Sequence, residues 1–430
     1  MLISLLLSMI LTNVAITIMM CPIVSAAMDE LEEQGVCKHF REPEATDVES
    51  KYAKTEDADE PKYPSAVSIA MYLGVAYAAT VGGTLTVFGS ITNLVYTDLT
   101  RNFTKFASNG PPLVRDFYSE KQIAFLPVFL FNIPIMIIEF LIIYLCLQAL
   151  HMGLFRSGDN RPFTAAKEGN RDAIKQKLTA LGSMTSHEIQ VVIFFIVMVV
   201  LLFSREITAD IGWGKHANGG KMLDSCVIML IAILMFMIPA NYRFLKYCFG
   251  SAPFTTKPTP SVVSWKMVHN FMPWGTMFLI GGGYAISKAI EMTLMSTHLA
   301  IKYHDNILDL SSTEWILFTI LCATALTQIC SNPAVANIAI FFLRDIALLK
   351  GLSPVDLAFP VGVACSIAFI LPVSTPPNAI VHHYAQIKTS KMFIAGIIPT
   401  IVLLALLIAF CQFWYAMIFG KVQNIADWQP

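Results

Sequence analysis

Charge is the first thing this sequence is short of. Among its 430 residues 14% are Asp, Glu, Lys or Arg, against roughly a quarter in soluble domains, and its mean hydropathy is +0.61. Water is therefore not its only solvent. The formal net charge is -1, and no basic tract is dense enough to track a phosphate backbone, so nucleic acid is not an expected partner. Paired cysteine spacing is missing too: Cys146, Cys226, Cys322, Cys365 and Cys411 sit singly in apolar segments, where they are expected as small core residues rather than zinc ligands or disulfides. No nucleophile, metal set or acid-base pair stands at a spacing that would make an active site, so an enzyme is not expected. The alternating strands of a membrane barrel are absent as well.

Long apolar runs are what the chain does have. They fall near 64–79, 122–150, 188–203, 224–240, 272–290, 314–330, 334–349, 355–371 and 392–420, several close to or beyond the ~20 residues that cross a hydrocarbon core. Backbone groups in lipid must be satisfied within the protein, so these runs are expected to be helices of an all-α polytopic membrane protein. Met1 to Ala27 ends like a signal peptide in Val24-Ser25-Ala26, but it lacks a basic start and carries Thr12 and Asn13 in its middle. Residues 28–63, with Asp29, Glu30, Glu32, Glu33, Asp57, Asp59 and Glu60, are expected to form a solvated acidic cytoplasmic loop.

Loop charge orients the chain, because cytoplasmic loops carry excess Lys and Arg. Residues 151–187 hold Arg156, Arg161, Lys167, Arg171, Lys175 and Lys177 and are placed inside; 241–271 is basic without an acidic residue, and 291–313 leans acidic and is placed outside. The same alternation puts the sequon Asn102-Phe103-Thr104 outside, where glycosylation requires it. Trp265, Trp274 and Trp315 stand near span ends, as interfacial anchors do. Glu139 lies inside an apolar span and is expected to face protein, since facing lipid would be expensive. The run Gly281-Gly282-Gly283 lacks the Lys and Ser/Thr of a phosphate loop and is expected to serve close helix packing. His382 and His383 are adjacent, so they do not share a helix face, and a third metal ligand is not evident.

An internal repeat is hidden in the apolar sequence. Ser8 followed by Thr12-Asn13-Val14-Ala15 is echoed by Thr327 followed by Ser331-Asn332-Pro333-Ala334. Each copy has a later companion, Gly89-Ser90-Ile91-Thr92-Asn93 and Ser374-Thr375-Pro376-Pro377-Asn378. Thr12-Asn13 and Ser331-Asn332 are N-cap chemistry in the middle of spanning lengths, so each run is expected to fold as a re-entrant hairpin of two short helices. Pro333 fits a helix start, where proline costs no amide bond. Gly82, Gly83 and Gly89 are expected to loosen the first companion helix, and Pro372, Pro376 and Pro377 to interrupt the second. Paired broken segments in two halves point to a transporter's midplane site, with half-helix N-termini towards anions and unwound carbonyls towards cations. Interhelical hydrogen bonding is the plainer role of such residues, but four clusters in matching order favour the site. A ligand with two or more carboxylates suits it, and the hydroxyls of Ser8 and Thr327, one turn before each Asn, suit a small cation beside the anion.

On these residues the chain resembles the divalent anion:sodium symporter family, and looks most like its animal branch of dicarboxylate and citrate carriers, of the insect Indy type. The matching stretches include IMMCPIV, VGGTLTVFGSITNLV, SWKMVHNFMPWGTMFLIGGGYAISKA, SNPAVANIAIFF and AFILPVSTPPNAIV. The resemblance implies an inverted-repeat elevator carrier in the plasma membrane, usually a homodimer, with sodium as the coupling ion and no other cofactor. It implies one cation site at Ser8, Asn13 and Gly89, another at Thr327, Asn332, Ser374 and Pro376, and substrate contacts from Asn13, Ser90, Asn332 and Thr375. It divides the chain into a first hairpin (1–27), the acidic loop (28–63), an interrupted helix and following span (64–150), the basic loop (151–187), scaffold helices (188–313), a second hairpin (314–350) and a second interrupted helix with a C-terminal span (351–430). The hairpins and interrupted helices make up the transport domain.

Departures from the family's pattern bear on coupling. Val14 and Pro333 stand where a third-position Thr is usual, Thr12 replaces a Ser, and Ile91-Thr92 replaces a pair that often contains Pro. The chain also starts inside what resembles the first hairpin, so a family member without transport activity is an alternative, as is a sodium-independent organic-anion exchanger. In glycosylating cells Asn102→Gln should remove a glycan, read as a gel-mobility shift, and protease on the cytoplasmic side should cut within 151–187. Cleavage there only from the opposite side would invert the topology.

Overall fold

The structure, a computed structural model, describes residues 1–33, 37–41, 63–87, 89–95, 125–152, 183–205, 224–241, 260–272, 311–350 and 354–418, with scattered single positions besides. Asn102, residues 42–62 of the acidic loop and residues 153–182 of the basic loop lie outside the described residues. Helices α1 (Leu2–Ser8) and α2 (Asn13–Glu33) lead to an antiparallel ribbon of β1 (Phe40–Arg41) and β2 (Tyr63–Pro64). There follow α3 (Ala66–Thr84), α4 (Phe125–His151), α5 (Ser186–Arg205), α6 (Asp224–Met237), α7 (Trp265–Phe271), α8 (Ser312–Thr327), α9 (Asn332–Lys350), α10 (Pro354–Ala364), α11 (Pro376–Tyr384) and α12 (Thr389–Ile418). By length and composition α2, α3, α4, α5 and α12 each contain a stretch able to cross a membrane, and α6 and α8 contain shorter apolar helices. The chain is a multi-pass, all-α integral membrane protein.

Contacts gather the chain into two compact units. One holds α5 to α7. Its first helix is capped reciprocally, Glu188 N donating to Thr185 Oγ1 (3.3 Å) while Thr185 N donates to Glu188 Oε2 (2.8 Å). Residues 238–240 and 260–262 then pair as a short antiparallel bridge, Ala240 N donating to Pro260 O and Val262 N to Ile238 O, both at 2.9 Å.

The other unit is built around α3, which is buried on nearly every face. A helix apolar all round belongs inside a protein, and this one is lined with small residues that let neighbours reach its backbone. A Cβ on Gly82 would overlap the Leu5 carbonyl of α1, and one on Gly74 would lie 2.8 Å from the Met1 side chain and 3.7 Å from that of Leu147 on α4. Helices α2 and α11 also pack on α3, whereas α8 and α9 pack on α10, and α12 lies against α8 and α10. A capping box of Ser311 and Glu314 starts α8. Gly396 of α12 faces the chain just after α10, where a Cβ would overlap the Phe369 carbonyl.

Several expectations change in detail. The acidic segment is not wholly a solvated loop: α2 runs on to Glu33, and Met28 and Cys37 bury against Val67. Helical periodicity carries Met28 inward while Asp29, Glu32 and Glu33 stay exposed. His39 is buried too, its Nδ1 2.6 Å from Asp29 Oδ1 and its carbonyl accepting from Ser68 Oγ at 2.6 Å. Among the cysteines expected in the core Cys365 is buried, but Cys226 and Cys322 are exposed on apolar helix faces. Trp315 is buried, edge-on to Phe318, while Trp265 is exposed. Among the described residues Gly281 and Gly282 meet nothing within 4 Å, so the close packing expected of them is not seen there.

Gly396→Ala should lower the thermal midpoint of the purified protein, at a cost of about 1–3 kcal/mol for overpacking against backbone. Gly281→Ala and Gly282→Ala should not. Equal melting of Gly396→Ala and the parent chain would remove α12 as a support of the break after α10.

Candidate functional site

The first break lies between Ser8 and Asn13. Thr12 caps α2, its Oγ1 accepting from Ala15 N at 3.4 Å and its carbonyl from Ile16 N at 3.2 Å. The Ser8 hydroxyl is fully buried, 2.9 Å from Asn13 Oδ1 and 2.5 Å from the carbonyl of Ala79 on α3. The Asn13 carboxamide has two ways to sit in this cluster. With Nδ2 inward it donates to Ser8 Oγ (2.9 Å), Ala79 O (3.1 Å) and Gly89 O (2.9 Å). With Oδ1 inward, that oxygen faces acceptors only, an arrangement that a small cation among the oxygens would stabilise.

The same pattern recurs at the second break. The buried Thr327 hydroxyl is 2.7 Å from Asn332 Oδ1 and 2.8 Å from Cys365 O. Asn332 opens α9, and Val335 N donates to Ser331 O at 3.1 Å. Here the capping differs from expectation. The Ser331 hydroxyl caps nothing and is a buried polar atom without a partner, as are Ser366 Oγ and Thr324 Oγ1. Neutral oxygens lacking donors in an apolar solvent are the donor set a hard cation or bound water completes.

The companion loops follow as turns and bends between helical ends. Helix α3 stops at Thr84 and residues 91–95 turn helical again. Asn93 Nδ2 lies within 3.1, 3.2 and 2.8 Å of the carbonyls of Gly83, Thr84 and Thr86. Thr86 Oγ1 donates to Met9 O at 2.5 Å and accepts from Gly89 N at 3.0 Å, tying this loop to the first break. Gly89 itself is required, since a Cβ would come 2.8 Å from Ser8 O and 2.9 Å from Gly83 O. Gly82 and Gly83, expected to loosen α3, remain helical and serve close approach instead: a Cβ on Gly83 would occupy the place of the Asn13 carboxamide.

In the second half the chain leaves the helix at Ala364, ahead of Pro372, and restarts at Pro376. Asn378 Nδ2 reaches Ala368 O (3.2 Å), Leu371 O (3.2 Å) and Ser374 Oγ (3.3 Å), as Asn93 does in the first. Thr375 caps α11 by accepting from Asn378 N at 3.3 Å, and Ser374 Oγ donates to Leu371 O at 2.6 Å. Pro376 takes the first helical position, where its missing N–H is harmless.

Ser8, Asn13 and Gly89 are thus brought together, as are Thr327 and Asn332. Ser90 (8% exposed), Thr375 (3%) and Asn332 (8%) are buried at helix starts, and Ser374 lies fully buried in the second companion loop. Sequence reasoning assigned no role to Asn93, Asn378, Gln328, Thr86 or Tyr77. Gln328 Nε2 donates to Ile367 O at 2.6 Å and its Oε1 accepts from Ile370 N at 3.2 Å; Tyr77 OH donates to Phe369 O at 2.9 Å. The available signal was polarity within apolar runs, and both companion motifs end in Asn.

No charged side chain enters either cluster as described, so what they can offer a ligand is neutral dipoles. Asn93→Leu or Asn378→Leu would strand buried carbonyls, costing about 1–3 kcal/mol. Thermal unfolding in detergent should show both variants less stable than Ser90→Ala, whose described bond is made by backbone; no difference would mean that water takes over these carbonyls.

Comparison with known proteins adds an independent line. The family described as "Sodium:sulfate symporter transmembrane region" matches residues 1–420. The chain is 38% identical to "Protein I'm not dead yet" of Drosophila melanogaster, over 99% of this chain and 71% of that protein. It is 32% identical to "Solute carrier family 13 member 1" of Mus musculus, over 76% of this chain and 53% of that protein. With the "Na(+)/citrate cotransporter" of Mus musculus it shares 28% identity, over 98% of this chain and 75% of that protein.

Proposed function

The chain belongs to the sodium:sulfate symporter transmembrane family, and on that premise we propose that it carries small di- or tricarboxylates, of the succinate and citrate class, across the plasma membrane. The observation that carries this reading is the recurrence of one unusual bonding pattern. At each break a buried hydroxyl (Ser8, Thr327) joins the Asn that opens the next helix (Asn13, Asn332) to a carbonyl of the neighbouring helix or loop (Ala79, Cys365). Two such clusters in one compact unit suit an inverted repeat of two re-entrant hairpins and two interrupted helices.

In this reading the N-termini of α2, α9 and α11 and of residues 91–95 offer amide N–H groups to carboxylates, each favoured by its helix dipole. Asn13, Ser90, Asn332 and Thr375 contact the anion. Sodium enters as a co-substrate at Ser8, Asn13 and Gly89, and at Thr327, Asn332, Ser374 and Pro376, offsetting the negative charge. A permanent cation at the site would slow release, and the neutral donor set avoids that. The unit that contains both clusters acts as the transport domain of an elevator, α5 to α7 belong to its scaffold, and a homodimer provides the rest.

Sodium-independent exchange is the second reading, favoured by one observation. With Nδ2 inward, the Asn13 carboxamide satisfies Ala79 O and Gly89 O by itself, so the first cluster is complete without a cation. Uptake of labelled succinate and citrate into proteoliposomes, with and without a sodium gradient, separates the two. Asn13→Ala and Asn332→Ala should each lower uptake about ten- to a hundredfold, from the loss of a hydrogen bond to a charged ligand worth about 1.5–3 kcal/mol. Unchanged uptake in both variants would reject the site, and counterflow without sodium would select exchange.

A further inference from the structure

Glu139 is a carboxyl that the clusters above do not use. Helix α4 shows one buried stripe, Val128, Phe131, Asn132, Ile135, Met136, Glu139, Ile143 and Leu147, at intervals of one, three or four residues that keep to one side of the helix. Glu139 stands in the middle of it, 3% exposed. No hydrogen bond or ion pair to it occurs among the described residues. An ionised carboxylate without a counter-charge in a packed span is too costly to persist, and such groups take a proton instead.

The stripe's contacts place this carboxyl. Asn132 Nδ2 donates to the Thr84 carbonyl at 2.7 Å, at the end of α3 where the first companion loop begins. Leu147 lies beside Gly74, so α4 runs antiparallel to α3. Glu139 falls between those two anchors, alongside the stretch of α3 from Gly74 to Thr84, which includes Ala79, whose carbonyl belongs to the first cluster. Asn132 Oδ1 is a buried acceptor without a partner, on the same stripe and about 10 Å along the helix from Glu139. Two or three waters in a row would bridge that distance, and a buried water needs polar partners of this kind.

Resting on the carrier reading, we propose that Glu139 is a proton-binding site of the transport unit, reached from the companion loop past Asn132. Its carboxylate takes a proton from hydronium on one side of the membrane, leaving water, and returns it to water on the other as the unit cycles. Proton movement is thereby linked to anion movement. Other titratable groups on the packed elements are few. Helix α3 brings Tyr72 and Tyr77, the latter committed to Phe369 O. Helix α4 itself has Tyr144, Cys146 and His151, α10 has Asp356, whose side chain lies outside the described residues, α12 brings Lys391 near His151, and α1 brings the Met1 amino group.

The test uses the full chain and Glu139→Gln, which keeps the side-chain shape. Infrared spectra of the purified protein should contain the carbonyl stretch of a protonated carboxylic acid that Glu139→Gln removes and Glu139→Asp retains. In proteoliposomes at pH values where succinate is fully ionised, labelled uptake by the parent chain should acidify a trapped pH dye and respond to an imposed pH gradient. Glu139→Gln should still take up succinate while both the dye signal and the pH response are lost. A missing infrared band, or a dye signal and pH response that survive Glu139→Gln, overturns the proton site while leaving the carrier reading standing. If the parent chain takes up no anion, the carrier reading falls and proton coupling falls with it.

Discussion

A break between apolar helices exposes carbonyls and amides that apolar surroundings cannot satisfy, and the hydrogen bonding of the unit built around α3 answers that constraint. The breaks leave an excess of carbonyl oxygens. Carboxamides answer this better than hydroxyls, because one side chain offers two N–H groups. Asn93 and Asn378 each stand over a small set of such oxygens, and Gln328 and Tyr77 secure the stretch between Ile367 and Ile370. Ser8 and Thr327 then have one job left, to join the opening Asn of the next helix to its neighbour's backbone.

Close approach makes those bonds possible. Their reach is fixed near 3 Å, so the backbones of α1 and α3, and of α12 and the loop after α10, must come closer than side chains ordinarily permit. Gly82, Gly83, Gly89 and Gly396 provide the room. In lipid, where no hydrophobic force presses helices together, such small-residue contacts are the main source of association. Packing and site are therefore one arrangement: the glycine that lets α1 touch α3 is next to the glycine that accommodates Asn13.

The two clusters are made of neutral oxygens and amides, and as described they hold no fixed charge. Among the described residues, Glu139 lies on the buried stripe of α4 and the His39–Asp29 pair at the ribbon end, and neither bonds to a cluster residue. Membership of the sodium:sulfate symporter transmembrane family agrees with this division of labour.

The sequence by itself determined the solvent and the class of element, since low charge and long apolar runs leave only helices. It also located the breaks at Thr12-Asn13 and Ser331-Asn332, because N-cap chemistry acts locally, within a few residues. Both breaks fall where those residues predicted, and Thr12 caps as expected. Only the tertiary structure decided which carbonyls meet the Asn side chains, that Ser331 caps nothing, that Gly83 is space for a carboxamide rather than a hinge, and that α2 continues into the acidic segment. Those outcomes depend on contacts between residues such as Ser8 and Ala79, or Thr327 and Cys365, far apart in the chain. A hydrogen bond of that range is set by how helices pack, and local propensity holds no record of it.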